Sequence, residues 1–513
     1  MRTLGEVMER NAYMYPGKEA LIVDGHRYNF RQVLDRAKRL ASGLYQLGLR
    51  RQDRISILAM NCAEYFDLFC AGNVAGYLVA TVNFRLASPE TEWVLSNSEP
   101  KIVVFEEQYA AVIDGLRKKL PHVTHYICIG AAPPWARSFD EVFESGVAEG
   151  PPIRSQPDDY ALLIYTSGTT GRPKGAIRKQ WRWVDTASGC ALASEFSSAS
   201  RVLLTTPAFH CGLIGWWLSA WYRSATVVVH RTFDPVQALE AIQSERITFT
   251  FIVAAMLQAM LDVPNVESYD VSSMYKIVTA GAPIPVPLLK RAGALLGPIF
   301  GVMYGSTETA ATTLFRDEFI WEGTPEQVKR IGSVGHAQPG IELRVVDQDG
   351  KDCPPGVAGE VWTYTTERFD GYWNNTAATI DAIRDGWVVT GDIGYLDEEG
   401  YLFLVDRKKD MIISGGENIY SREVEEAVLA HPDIIDVAVI GVPHPKWVET
   451  VKAIAVRKSG SKVREEEIII HCKTLIASYK CPKFVEFMDE LPRVASGKIN
   501  KVALREREQL RAS

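Results

Sequence analysis

Apolar positions alternate between helical and strand spacing from the start of the chain. Leu34, Ala37, Leu40, Ala41 and Leu44 share one face of a 3.6-residue repeat and predict a helix, while Arg54-Ile55-Ser56-Ile57-Leu58 reads as a strand. Residues 1–150 therefore predict an α/β layer that serves as scaffold. The next apolar run, Ala161-Leu162-Leu163-Ile164, predicts a strand that breaks into YTSGTTGRPKG at residues 165–175. Further on, Ile214-Gly215-Trp216-Trp217-Leu218 predicts a core helix with His210 near its start, and Val278-Thr279-Ala280-Gly281-Ala282-Pro283 an apolar run ending in small residues. In the last hundred residues a helix over 421–430 and strands over 436–441 and 452–456 predict a compact α+β unit.

At 513 residues the chain is too long for one core, so at least two domains are expected. Its 47% hydrophobic and 23% charged residues are those of a globular protein, and the net charge of −7 disfavours a general binder of nucleic acid or anionic membrane. Any phosphate site must be local. Eight cysteines without a Cys-x-x-Cys pair give neither a zinc pattern nor a disulfide framework, and fit a reducing compartment. The first ten residues mix acids with bases and do not read as a signal peptide; Phe249 to Met260 is too short to span a bilayer; and Arg511-Ala512-Ser513 is not a peroxisomal address. The expectation is a cytoplasmic protein with no transmembrane segment, and a homodimer is left open.

The 165–175 stretch concentrates the chemistry. Thr166, Ser167, Gly168, Thr169, Thr170 and Gly171 supply hydroxyls and bare amides, the glycines (Gly175 included) permit positive φ, and Lys174 adds a point charge, a combination suited to a polyphosphate. The spacing is neither that of a Walker P-loop, since Gly175 follows Lys174 where Ser or Thr belongs, nor a Rossmann fingerprint. This stretch resembles the phosphate loop of the acyl-adenylate-forming superfamily, which includes acyl-CoA synthetases, luciferases and peptide-synthetase adenylation domains. Further motifs follow in the superfamily's order. Gly281-Ala282-Pro283 is similar to a wall of the adenine pocket, and Tyr304-Gly305-Ser306-Thr307-Glu308 resembles the Tyr-Gly-x-Thr-Glu motif. There Tyr304 would stack on a purine, Thr307 would donate to the α-phosphate and Glu308 would ligate Mg²⁺. Thr390-Gly391-Asp392 looks like the motif whose aspartate binds the ribose hydroxyls, and Arg407 like the arginine beside it.

The resemblance, which runs from about residue 5 to 505, implies more. It places His210 at the acyl pocket, Lys409 at a hinge, Gly415 and Gly416 along the pantetheine channel, Trp447, Tyr479 and Lys483 against CoA, and Lys498 as the catalytic lysine. Two departures stand out: Ser421, where many relatives have Pro, reads as an N-cap, and Cys481 replaces a basic CoA contact. The implied fold is α/β: a large N-terminal domain over 1–406 of mixed sheets layered with helices plus a distorted β-barrel, a hinge at 407–409, and a small mobile α+β domain over 410–513. The implied activity is an ATP-dependent carboxylic acid–CoA ligase that forms acyl-AMP and pyrophosphate, then acyl-CoA and AMP, from a fatty or aromatic acid with ATP, Mg²⁺ and CoA. Two alternatives stay open: loading of a separate carrier protein, and a non-catalytic nucleotide-binding protein on the same fold.

Overall fold

The computed structural model describes residues 1–166, 172–281, 284, 286–314, 323–414, 417–444, 447–494 and 498–512. By contact density the chain divides into two compact units, one of Met1–Leu343 with Thr363–Val388 and one of Arg344–Trp362 with Val389–Ser513.

The first unit is built on two large sheets. One has nine strands among the described residues, with a parallel centre formed by Glu19–Val23, Thr226–Val229, Arg201–Leu204, Phe249–Ile252, Lys276–Thr279 and Phe300–Gly305. The other has eight, and includes the expected strands Arg54–Leu58 and Tyr160–Thr166. One buried cluster joins both sheets to the helices Phe30–Gln46, Ala63–Ala75, Gln180–Ala193 and Cys211–Tyr222. The five residues read as a helical face, Leu34 to Leu44, are all buried on Phe30–Gln46. Trp216 and Trp217 are core, as their setting predicted. Trp217 is wholly buried, stacked on Phe69 at 5.6 Å and edge-on to Phe66 at 5.4 Å and Trp221 at 4.9 Å. The Phe249–Met260 run divides into the strand Phe249–Ile252 and the helix Ala254–Leu261, so its length was never that of one element. No described helix is long and apolar enough to cross a membrane.

A third sheet, the half-barrel of the expected architecture, pairs Ile341–Val346, Gly359–Thr365, Trp387–Leu396, Ile383–Arg384 and Leu402–Arg407. The second unit holds an α+β core in which Ile434–His444 and Val448–Arg457 pair antiparallel, Phe484–Met488 adds a parallel strand, and Ser421–Leu429 and Glu465–Leu475 pack alongside. Ser421 is the first helical residue rather than the cap; Tyr420 occupies that position without a side-chain cap bond. The Ser421 amide and hydroxyl instead donate to the Asp406 carboxylate, the hydroxyl at 3.1 Å, and Lys501 Nζ donates to the same hydroxyl at 2.7 Å.

Candidate active site

Two adjacent strands of the eight-stranded sheet deliver the phosphate-loop residues. Tyr160–Thr166 runs in and Lys174–Lys179 returns antiparallel, pairing Thr166 with Lys174 and Tyr165 with Gly175, and Thr166 Oγ1 donates to the Lys174 carbonyl at 3.3 Å. Gly175 serves packing rather than positive φ: a Cβ there would lie 2.7 Å from Leu163 Cδ1 and 3.1 Å from Tyr165 Cζ. Ser167, Gly168, Thr169, Thr170 and Gly171 lie outside the described residues, as do Ala282 and Pro283 of the adenine-wall motif and Gly415 and Gly416.

The far edge of Lys174–Lys179 carries the short strand Gly371–Tyr372, with Tyr372 opposite Ala176 and the Trp373 amide donating to the Gly175 carbonyl at 2.7 Å. This pairing spans nearly two hundred residues of sequence and sets Tyr372 between two groups that the sequence singled out separately. Lys174 Nζ lies 5.2 Å from the centre of the Tyr372 ring, and the Tyr372 hydroxyl donates to Glu308 Oε1 at 2.7 Å. The Phe369 amide also donates to the Glu308 carbonyl at 2.8 Å, so one segment grips both ends of that residue. Burial, and then the Glu308 carboxylate, push the Tyr372 phenol well above its ordinary pKa, which keeps it a donor.

Beside Glu308, Thr307 Oγ1 donates to Cys211 Sγ at 3.3 Å. Cys211 opens the helix Cys211–Tyr222, and His210 caps it by accepting from the Gly212 amide through Nδ1 at 3.3 Å. Cys211 Sγ is 3.7 Å from that nitrogen. Burial alone would raise the Cys211 thiol, but its electrostatic interaction with the adjacent His210 ring and the hydrogen bond from Thr307 outweigh it and bring the thiol down to about 7. Tyr304 is buried on Phe300–Gly305, and Gly281 sits at φ +82° two residues past the end of Lys276–Thr279. Thr166, Lys174, His210, Gly281, Tyr304, Thr307 and Glu308 thus belong to the first unit.

Asp392, Arg407, Lys409, Trp447, Tyr479, Lys483 and Lys498 belong to the second unit. Asp392 is buried on Trp387–Leu396 opposite Arg407, whose Nε lies 3.1 Å from its carboxylate. Gly391, at φ +72°, turns the chain just before it. Lys409 is exposed, as are Trp447, Tyr479 and Lys483. Cys481 is fully buried in the α+β core, so its side chain is a packing group and not a surface contact. Lys498 is exposed, its carbonyl accepts from the Val494 amide at 2.8 Å, and its neighbour Ile499 bridges to Arg493.

Sequence reasoning missed Tyr372 and Cys211. Gly371-Tyr372-Trp373 reads as an ordinary aromatic strand end, and only the long-range pairing gives it a role. Cys211 could have been noticed as a thiol next to a histidine at a helix start.

The chain matches the AMP-binding enzyme family over residues 8–373 and the AMP-binding enzyme C-terminal domain over residues 423–498. It belongs to the AMP-binding enzyme family. Among its relatives is an indoleacetate–CoA ligase of Aromatoleum aromaticum, 36% identical over 505 residues that cover 98% of each chain. A long-chain-fatty-acid–CoA ligase of Mycobacterium tuberculosis, FadD13, is 34% identical over 99% of this chain and 98% of its own. The solved anthranilate CoA ligase AuaEII in complex with anthranoyl-AMP superposes with a TM-score of 0.90 at 26% identity, covering 99% of this chain and 98% of that one. This AMP-binding enzyme therefore shares nearly its whole length with acid–CoA ligases of both aromatic and fatty type.

Proposed function

We propose that this AMP-binding enzyme is an ATP-dependent carboxylic acid–CoA ligase acting on an aromatic or long-chain fatty acid. The observation that carries the reading is the junction at Tyr372, where the phosphate-loop lysine and the glutamate of the Tyr-Gly-Ser-Thr-Glu motif meet on one ring. Lys174 then holds the terminal phosphates of ATP, and Glu308 faces the same triphosphate.

Among the described residues no group of three His, Cys, Asp or Glu side chains gathers to hold a metal. A single hard carboxylate together with phosphate oxygens is the usual setting for Mg²⁺, so Glu308 fits it. Held by Glu308, Mg²⁺ would supply positive charge to offset that of the polyphosphate.

In the first half-reaction a carboxylate oxygen of the acid attacks the α-phosphorus, the bond to the β-phosphate breaks, and pyrophosphate leaves with the electron pair. The Thr307 hydroxyl turns from Cys211 to the α-phosphate, Asp392 accepts the ribose hydroxyls, and Lys498 stabilises the negative charge that builds between attacking and leaving oxygens. In the second, the C-terminal segment beyond the hinge at Lys409 reorients, and the CoA thiol displaces AMP from the acyl carbon. Trp447, Tyr479 and Lys483 are the proposed CoA contacts, with Gly415 and Gly416 along the path of its arm.

A pyrophosphate-release assay across fatty, aryl and dicarboxylic acids, followed by mass spectrometry of the products with free CoA, tests the proposal. An acyl-CoA mass supports it. Pyrophosphate without thioester points instead to loading of a carrier protein, and no exchange with any acid points to a nucleotide-binding protein without catalysis.

A further inference from the structure

The strand Lys174–Lys179 carries a second cation. Arg178 lies on the same strand face as Lys174, four residues on, and is buried to 5% exposure. Its guanidinium covers the Trp183 ring at 4.5 Å, Nη1 donates to Thr186 Oγ1 at 3.0 Å, and Nη2 donates to the Thr307 carbonyl at 2.9 Å. The carboxylate that acts on it most strongly is Glu367, itself buried to 4% exposure, through space rather than by a direct ion pair. Arg178 Nε and Glu367 Oε2 have no hydrogen-bond partner among the described residues. Glu367 fits only because the helix Gln180–Ala193 offers Gly189 beside it: a Cβ there would lie 2.4 Å from Glu367 Oε1.

A buried guanidinium is costly, and an apolar side chain would fill the same strand position at less expense. The arginine's distinctive contribution is a planar fork that ties a helix hydroxyl and the Thr307 carbonyl to one rigid point. Thr307 is then held at both ends, its carbonyl by Arg178 and its hydroxyl by Cys211. We propose that Arg178 and Glu367 are a positioning pair that sets the Thr307-Glu308 turn for adenylate formation. This rests on the ligase reading above and adds to it two residues that touch neither ATP nor acid.

Burial pushes the Glu367 carboxyl up to about 7, against the pull of Arg178 and with some help from Asp185. Cys190 also faces it electrostatically from Gln180–Ala193, and the Arg182–Asp370 ion pair and Arg368 lie close by. Above pH 7 the ionised Glu367 balances Arg178; below it the protonated carboxyl no longer does, and Asp370 is left as the other carboxylate acting on the guanidinium.

The test is the steady-state kinetics of pyrophosphate release by the full chain with its best acid from roughly pH 6 to 9. The variants are Arg178→Met, Arg178→Lys and Glu367→Gln, each with its melting temperature. Arg178→Met is expected to lower kcat by ~10²-fold, the scale of a misplacement near 1 Å, with little change in KM for ATP because Lys174 is untouched. Arg178→Lys, which keeps the charge and one donor, recovers part of kcat. Glu367→Gln keeps the size of the side chain but loses the rise in kcat through pH 7. Wild-type kcat in Arg178→Met, or a wild-type pH profile in Glu367→Gln, overturns the pair while leaving the ligase reading intact. Wild-type enzyme that releases no pyrophosphate with any acid overturns that reading, and this inference with it.

Discussion

Removing one oxygen, by Tyr372→Phe, tests the junction that carries the functional proposal. The phenylalanine ring still lies under Lys174, so the cation–π contact at 5.2 Å stays. Only the hydrogen bond to Glu308 Oε1 at 2.7 Å is lost. A hydrogen bond to a charged group is worth about 1.5–3 kcal/mol, and both partners here are half-buried, so the lower figure applies. If the bond persists in the transition state, the loss is about tenfold in kcat/KM. Glu308 becomes freer to turn, so the Mg²⁺ concentration needed for half-maximal rate rises as well. Tyr372→Leu removes the ring too, and should cost a further ~0.5–1 kcal/mol, mostly in KM for ATP. The assay is ATP–pyrophosphate exchange titrated with Mg²⁺ at saturating acid. If Tyr372→Phe stays within about twofold of wild type at every Mg²⁺ concentration, Glu308 does not depend on this bond and the junction is only packing.

Three further outcomes follow. Lys498→Ala is expected to lose adenylate formation by ~10²–10³-fold while still making thioester from synthetic acyl-AMP, and equal loss of both half-reactions would refute its assignment to the first. Cys211 is the one cysteine whose thiol is drawn down, to about 7, whereas the other seven are pushed up by burial. Iodoacetamide should therefore label Cys211 first, with a rate that rises through pH 7 as the thiolate forms, and peptide mass spectrometry finding another cysteine labelled faster would count against it. Trp217→Ala should destabilise the first unit by about 3–5 kcal/mol, because it empties a fully buried site packed by Phe66, Phe69 and Trp221. A calorimetric transition within about 1 kcal/mol of wild type would show that the core closes over the gap.

Local pattern made much of the scaffold legible. The helix through Leu34 and Leu44 and the strand Arg54–Leu58 have the periods their burial requires, and Trp216-Trp217 is the core that its apolar setting implied. Motif order placed Lys174, Thr307 and Glu308 in one chemistry, because each residue type has a role at a triphosphate. Tyr372, Arg178 and Glu367 could not be read in the same way. Arg178 sits in Lys-Gly-Ala-Ile-Arg-Lys, which looks like a solvated strand, and Glu367 in Thr-Thr-Glu-Arg, which looks like a turn. Their environment is created by the pairing of Lys174–Lys179 with Gly371–Tyr372, and no local period reports a contact so distant. Ser421 shows the opposite error. A residue with ideal capping chemistry was displaced by one position, because the Asp406 carboxylate competes for its amide and hydroxyl.

The Tyr372 ring also acts as a spacer. With an aromatic face toward the ammonium and a hydroxyl toward the carboxylate, it lets Lys174 and Glu308 sit in the same neighbourhood without neutralising each other. Among the described residues no salt link joins the two, so under the proposed function a polyanion engaging Lys174 would not first have to break one between them. Glycine here, with no side chain to part them, would leave the two charges facing across open space.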